Sequence, residues 1–219
     1  GKVVVVGGGY GGATAAKYLR MWSGGSVDVT LVEPNADFIS CPMSNLVLGG
    51  SKRIADVTVS YANLAKRWGV TIVRDTAVAV DADKRTLRLA GGQTLAYDRL
   101  ILSPGVEFLY DQLASLQTPA GTSRVLHSWK AGPQTVALRQ QLEAMKDGGV
   151  YAISIPVAPY RCPPGPYERA CQVAWYFKRA KPRSKVLILD GNEDVTSKKG
   201  LFMKAWNEDY KGIVEYRPN

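Results

Sequence analysis

Lys2-Val3-Val4-Val5-Val6-Gly7-Gly8-Gly9-Tyr10-Gly11-Gly12-Ala13-Thr14-Ala15-Ala16 opens the chain, and its reading decides the fold. Lys2–Val6 has the length and composition of a buried strand. A helix is expected over Ala13–Met21, where Ala13, Ala15 and Ala16 let it lie close against a sheet. Val27–Glu33 alternates apolar residues and ends in an acid, as a second strand does. Strand, glycine turn, helix and strand make a βαβ unit with a parallel sheet. Within the turn, Gly7 permits the tight bend, Gly9 lets backbone approach a pyrophosphate, and Gly12 lets helix pack on strand. The helix start, with Tyr10 and Gly11 beside it, offers N–H donors and partial positive charge to phosphates. Glu33 is placed to accept hydrogen bonds from ribose hydroxyls. A glycine triplet alone is weak evidence; the strand before it, the helix after it and the acid about 20 residues on supply the required context.

Outward from this unit, a helix over Tyr61–Trp68 is stopped by Gly69, and Val70–Arg74 reads as a third strand. The pattern then changes to short alternating segments, Val78–Val80, Thr86–Leu89 and Thr94–Tyr97, with Gly91-Gly92 as a hairpin turn. An antiparallel meander inserted in a parallel α/β domain is a familiar accessory of flavin-binding domains. Leu100–Ser103 returns to a buried strand that stops at Pro104-Gly105. This strand end resembles the second flavin motif of two-dinucleotide-domain flavoproteins, with Ser103-Pro104-Gly105 in place of the usual Ala-Thr-Gly. Together these features favour FAD over NAD.

A second βαβ unit follows: a helix over Thr135–Lys146, a strand Val150–Ile155, a helix Tyr167–Arg179 and a strand Lys185–Asp190. It echoes the first without being a sequence repeat. The fold class expected is therefore α/β, with two Rossmann-like three-layer domains of the FAD-dependent disulfide oxidoreductase type. Residues 1–110 form the FAD-binding domain, with its meander at about 77–97, and residues 111–219 form the second domain.

That second domain lacks a glycine turn. After Val150–Ile155 stands Pro156-Val157-Ala158-Pro159-Tyr160-Arg161-Cys162-Pro163-Pro164-Gly165-Pro166. Prolines remove backbone N–H donors, so NAD is not expected to bind here. The loop instead presents Cys162 just before a helix and beside Arg161. Both the helix start and the guanidinium favour a thiolate, the nucleophilic and redox-active form of cysteine. Glu168, in the first helical turn, either shuttles a proton or complements the helix dipole. Cys171, beside Ala170, Val173 and Ala174, reads as a core residue, and His127 as structural. Cys41, eight residues beyond Glu33, lies where the chain returns towards the rest of the cofactor, well placed to touch its reactive end.

Bulk properties narrow the function further. The net charge is +9, partly concentrated in Lys178–Arg183 and Lys198-Lys199, and draws in anions. The basic residues are not interleaved with aromatics on one periodic face, so no nucleic-acid partner is expected. Three cysteines without metal-ligand spacing and one histidine leave no metal site. No apolar run approaches the roughly 20 residues that span a bilayer. The glycine loop follows the first strand at once, so any secretory signal is expected to have been removed.

Taken together, these residues resemble the flavoprotein subunit of flavocytochrome c sulfide dehydrogenase. The resemblance rests on Gly7–Tyr18, on Cys41 with Ser44-Asn45 and Gly49-Gly50, on Trp129-Lys130-Ala131-Gly132, and on Arg161–Ala170. It implies that Cys41 is the thioether attachment point to the 8α-methyl of FAD. It implies that Cys162 is one half of a redox-active disulfide beside the flavin, and that Glu168 handles protons. Hydrosulfide would attack the disulfide, and two electrons would pass to the flavin and leave singly to a c-type cytochrome subunit that alone carries haem. The location implied is the periplasm. Members of that family are nearly twice as long and place the partner cysteine beyond residue 219, so the chain looks like an N-terminal portion. The nearest rival is a sulfide:quinone reductase, with the same disulfide logic, a quinone acceptor and no need of a thioether at Cys41.

Overall fold

The computed structural model describes all residues from Gly1 to Asn219. The chain divides into two compact units, Gly1–Phe38 with Thr58–Gln112, and Ile39–Val57 with Leu113–Asn219.

The first unit is built on a parallel sheet of β1 (Lys2–Val6), β2 (Asp28–Val32), β5 (Thr71–Val73) and β9 (Arg99–Leu102), in the order β5-β2-β1-β9. Alternation along β1 sends its valines to opposite faces. Val3 and Val5 join Ala16, Val29, Leu31 and Val70 beneath α1 (Tyr10–Trp22) and α3 (Ala62–Trp68). Val4 and Val6 join Val32, Leu87 and Leu89 on the other face. That face is covered by the antiparallel sheet β6 (Ala77–Asp81), β7 (Thr86–Leu89) and β8 (Thr94–Ala96). The unit therefore has three layers: helices, parallel sheet and meander. Helix α1 begins at Tyr10, three residues before the predicted start, because Gly11 and Gly12 lie inside it despite the poor helix propensity of glycine.

The second unit is α/β as well, with parallel strands β10 (Val150–Ile155), β11 (Lys185–Asp190) and β12 (Val214–Arg217) in sequential order. Ile153, Ile155, Val186 and Ile188 point into a core shared with α5 (Pro133–Ala144), α6 (Gly165–Ala180) and α7 (Lys199–Asn207). Their neighbours Ala152, Ser154 and Leu189 point the other way and are exposed. The parallel α/β class read from the sequence is what both units show.

The segment Ile39–Val57 falls within residues 1–110 along the chain but packs with the second unit. It contains α2 (Ser44–Gly49), a short helix that the sequence reading did not mark. Leu48 enters the second unit's core, and its carbonyl accepts a hydrogen bond from Arg139 Nη1 at 3.0 Å. The chain leaves the first unit along β3 (Asp37–Ile39) and returns along β4 (Thr58–Ser60). A consequence matters for the site: Cys41 belongs to the same unit as Cys162.

Candidate functional site

In the first unit, Gly7 has φ +93°, and a Cβ there would stand 2.1 Å from the Ser103 carbonyl oxygen. A Cβ on Gly12 would lie 1.8 Å from the Gly7 carbonyl oxygen, so α1 touches the turn backbone to backbone. A Cβ on Gly9 would meet nothing within 4 Å. Two glycines are thus required by packing and the third leaves an open face, which is the arrangement a pyrophosphate needs. β1 and β9 are parallel neighbours, and the Ser103 N–H donates to the Val6 carbonyl at 2.8 Å. That pairing sets Ser103-Pro104-Gly105 directly beside the glycine turn, with Ser103 Oγ 2.7 Å from where a Gly11 Cβ would be. Tyr10 is exposed and meets Phe38 edge-on at 4.9 Å.

Glu33 is 7 % exposed and well bonded. One carboxylate oxygen accepts from the Gly8 N–H at 2.7 Å, the other from the Asn35 N–H and side-chain amide at 2.8 and 2.6 Å. A carboxylate has about four lone-pair positions, so one remains for a ribose hydroxyl. Tyr61, which sequence reading treated only as a helix start, donates to the Gly8 carbonyl at 2.9 Å. Burial, then the charges of Glu33 and Asp37, push its phenol well above the ordinary tyrosine value and keep it a neutral donor. Nothing in the local sequence signals this contact, since Tyr61 is 53 residues from its acceptor.

In the second unit, Cys162 is exposed and holds φ 58°, the left-handed region that costs a side-chain-bearing residue about 1 kcal/mol or more. Its Sγ lies 3.2 Å from the position of a Gly165 Cβ, over the first turn of α6. The thiol is thus held against the start of α6. Glu168 is exposed in that first turn. Cys41 is half-buried, and its thiol donates to the Trp129 carbonyl at 3.1 Å. The same carbonyl accepts from Arg161 Nη1 at 3.1 Å, while the Trp129 indole N–H donates to the Arg161 carbonyl at 2.6 Å. Trp129 therefore ties the Cys41 segment to the residue preceding Cys162. The Asn45 amide adds a longer bond to the Gly165 carbonyl at 3.4 Å. Cys171 is half-buried on α6, and burial raises its thiol above the ordinary value. All three cysteines are free thiols.

The end of β11 repeats the end of β2 in its hydrogen bonds. Asp190 Oδ1 accepts from the Asn192 N–H and side-chain amide at 3.1 and 2.7 Å, as Glu33 does from Asn35. The other oxygen differs: it accepts from the Tyr167 hydroxyl at 2.6 Å and the Tyr216 hydroxyl at 3.1 Å. Tyr167 is fully buried, and burial together with the bond to Asp190 raises its phenol. Where the first unit offers a carboxylate beside an open glycine turn, the second fills the place with phenols. Tyr167→Phe removes a bond to a charged acceptor and is expected to cost about 1.5 kcal/mol. Thermal unfolding should fall by about 4 °C; an unchanged midpoint would mean that the phenol contributes nothing to Asp190.

A dinucleotide turn with a meander in one unit and an exposed cysteine at a helix start in the other define an oxidoreductase of the dinucleotide-and-thiol class. Residues 1–138 match the family described as pyridine nucleotide-disulphide oxidoreductase, and residues 135–219 match the central region of the sulfide dehydrogenase [flavocytochrome c] flavoprotein chain. The flavoprotein chain of that name from Chlorobaculum thiosulfatiphilum is 61% identical over 46 residues, which is 21% of this chain and 94% of that sequence. The mitochondrial sulfide:quinone oxidoreductase of Dictyostelium discoideum is 25% identical over 189 residues, 85% of this chain and 41% of that one. Among solved structures, the sulfide:quinone oxidoreductase of Aquifex aeolicus superposes with a TM-score of 0.82 at 21% identity, over 100% of this chain and 51% of that one. This last likeness is one of fold. The chain belongs to the pyridine nucleotide-disulphide oxidoreductase family and, within it, to the flavoprotein chains of flavocytochrome c sulfide dehydrogenase. It spans about half or less of the length of the sulfide:quinone oxidoreductases it matches.

Proposed function

We propose that the protein oxidises sulfide with a flavin, through a redox-active disulfide that includes Cys162, and passes the electrons to a c-type cytochrome subunit in the periplasm. The observation that carries this reading is Cys162 itself: exposed, in a strained conformation, and held on the first turn of α6. The sulfide dehydrogenase and sulfide:quinone oxidoreductase relatives support the substrate class.

Bound FAD would supply two-electron oxidation of sulfur and one-electron release to an acceptor. Gly7, Gly9, Tyr10, Gly11 and Gly12 would hold its pyrophosphate, Glu33 its ribose, and Ser103-Pro104-Gly105 would line the adjoining strand end. Cys41 would supply the thioether to the 8α-methyl group. Cys162 would pair with a second cysteine, and hydrosulfide would open that disulfide by attack on sulfur, forming a persulfide on one cysteine and releasing the other as a thiolate. Glu168, exposed one turn along α6, exchanges the proton with solvent.

Denaturing the protein, removing free cofactor and mapping the peptides tests the tether. Flavin absorbance is expected on the peptide that contains Cys41 and is expected to vanish in Cys41→Ser. Flavin that washes away completely from the unaltered protein refutes the thioether. The sequence likeness to the sulfide:quinone oxidoreductase of Dictyostelium discoideum supports a second reading, with quinone as acceptor, and that reading gains from the same negative result.

A further inference from the structure

The ends of β2 and β11 part company at their asparagines. Asn35 gives its N–H and its side-chain amide to Glu33. Asn192 gives the same pair to Asp190, and then reaches across to the loop that follows β10. Its Nδ2 also donates to the Pro156 carbonyl at 3.0 Å, and its Oδ1 accepts from the Ala158 N–H at 2.8 Å. A primary amide has two N–H donors and one carbonyl, so every polar group of this half-buried side chain is engaged.

Pro156 and Ala158 open the loop that carries Cys162. Prolines at 156, 159, 163 and 164 have no N–H, so the loop cannot pin itself through donors at those positions. It is pinned from outside. The Tyr160 hydroxyl shares a hydrogen bond of 2.8 Å with Thr196 Oγ1 and donates a longer one, 3.4 Å, to the Pro163 carbonyl. The Thr196 N–H donates to the Tyr167 hydroxyl at 3.1 Å, and that hydroxyl donates to Asp190. On the far side, Trp129 and Arg161 exchange hydrogen bonds in both directions. Two of the three anchors therefore lead back to Asp190. The strand end that faces a ribose in a nucleotide-binding unit here faces the sulfur loop.

We propose that Asn192 and Thr196 are positioning residues, which fix the Cys162 loop from the end of β11 and present its sulfur at one place. Cys162 holds φ 58°, and such a conformation persists only where the surroundings over-determine it. The anchors on Pro156, Ala158 and Tyr160 supply that constraint. A sulfur that must meet both hydrosulfide and a second sulfur gains rate from being held, since a misplacement of about 1 Å can cost about a hundredfold. The inference rests on the reading of Cys162 as the reactive sulfur, but its first readout needs neither flavin nor sulfide.

That readout is a methanethiosulfonate nitroxide on the exposed Cys162 of the full chain carrying Cys41→Ser and Cys171→Ala. Electron paramagnetic resonance line shapes then report the motion of the loop. An immobilised spectrum is expected, and is expected to be lost in Asn192→Ala and in Thr196→Val. Thr196→Ser keeps the hydroxyl and should keep the immobilised spectrum. Thr196 is exposed, so thermal unfolding of its two variants should stay within about 2 °C of the parent. An unchanged line shape in Thr196→Val or in a folded Asn192→Ala, or equal loosening in Thr196→Ser, overturns the assignment. Should Asn192→Ala fail to fold, the Thr196 pair decides alone. In flavin-loaded protein with its cysteines intact, Thr196→Val is expected to slow flavin reduction at saturating sulfide by about tenfold or more, with the half-saturating concentration unchanged. An ordinary rate there overturns the positioning role where Cys162→Ser abolishes bleaching. Where Cys162→Ser still bleaches, the reading of Cys162 falls instead, and the line shapes decide whether the loop is held.

Discussion

If the proposed chemistry holds, Cys162→Ser is expected to abolish the bleaching of bound flavin by sulfide and to leave the flavin content unchanged. Serine keeps the volume of cysteine but offers neither a disulfide nor a good nucleophile at neutral pH. Cys162 is exposed on a loop, so the exchange should move stability by no more than about 0.5 kcal/mol. The rate of flavin reduction should fall by about a thousandfold or more, as it does when the nucleophile of a concerted site is removed. Stopped-flow absorbance after mixing with sulfide measures it directly. Bleaching that persists at an ordinary rate would remove Cys162 from the reaction. Because Cys162 and Cys41 are bracketed by one tryptophan, Cys41→Ser is the informative companion. It should release the flavin on denaturation while sulfide still reduces whatever flavin is bound.

The second large effect separates the glycines. Gly12→Ala places a methyl group 1.8 Å from the Gly7 carbonyl oxygen and 3.2 Å from Val5 Cγ1. Neither backbone nor core strand yields easily, so α1 must lift from β1. A cost of about 3 kcal/mol or more is expected, with thermal unfolding about 10 °C lower. Gly9→Ala is the opposite case. Gly9 has φ −68° and ψ −169°, which alanine adopts freely, and its Cβ would face open space. Stability should stay within about 0.5 kcal/mol, while flavin retention falls at least tenfold. Differential scanning fluorimetry and flavin absorbance on the same samples read both effects. Flavin retained at the usual level in a stable Gly9→Ala protein would show that no phosphate approaches there.

Much of the first unit was legible because its signals are strong and local. Lys2–Val6 is a strand with the predicted limits, and the meander lies where the short alternations and Gly91-Gly92 placed it. The excursion over residues 37–60 was not legible, since two three-residue strands and a six-residue helix are too short to show a period. Helix α7 opens at Lys198 with no side-chain cap, so no start signal marks it. In the candidate site, Cys41, Cys162 and the glycine turn could be named because their chemistry shows in the residue type. Tyr61 could not, because its acceptor, the Gly8 carbonyl, lies 53 residues away along the chain. Tyr167 hid likewise, as an aromatic residue on a helix face.

The phenols at Asp190 make the second unit hard to convert. Introducing three glycines after β10 would build a turn, yet the carboxylate at the strand end would still be occupied. Clearing it means removing Tyr167, tilted against Trp206 at 6.0 Å, and Tyr216, stacked on it at 5.4 Å, while Phe202 closes on Tyr167 at 5.5 Å. An engineer seeking a nicotinamide-dependent version would therefore have to redesign the interior of the unit before grafting a phosphate loop onto it. The turn could be exchanged in one step, but the tyrosines would still block the carboxylate that a ribose needs.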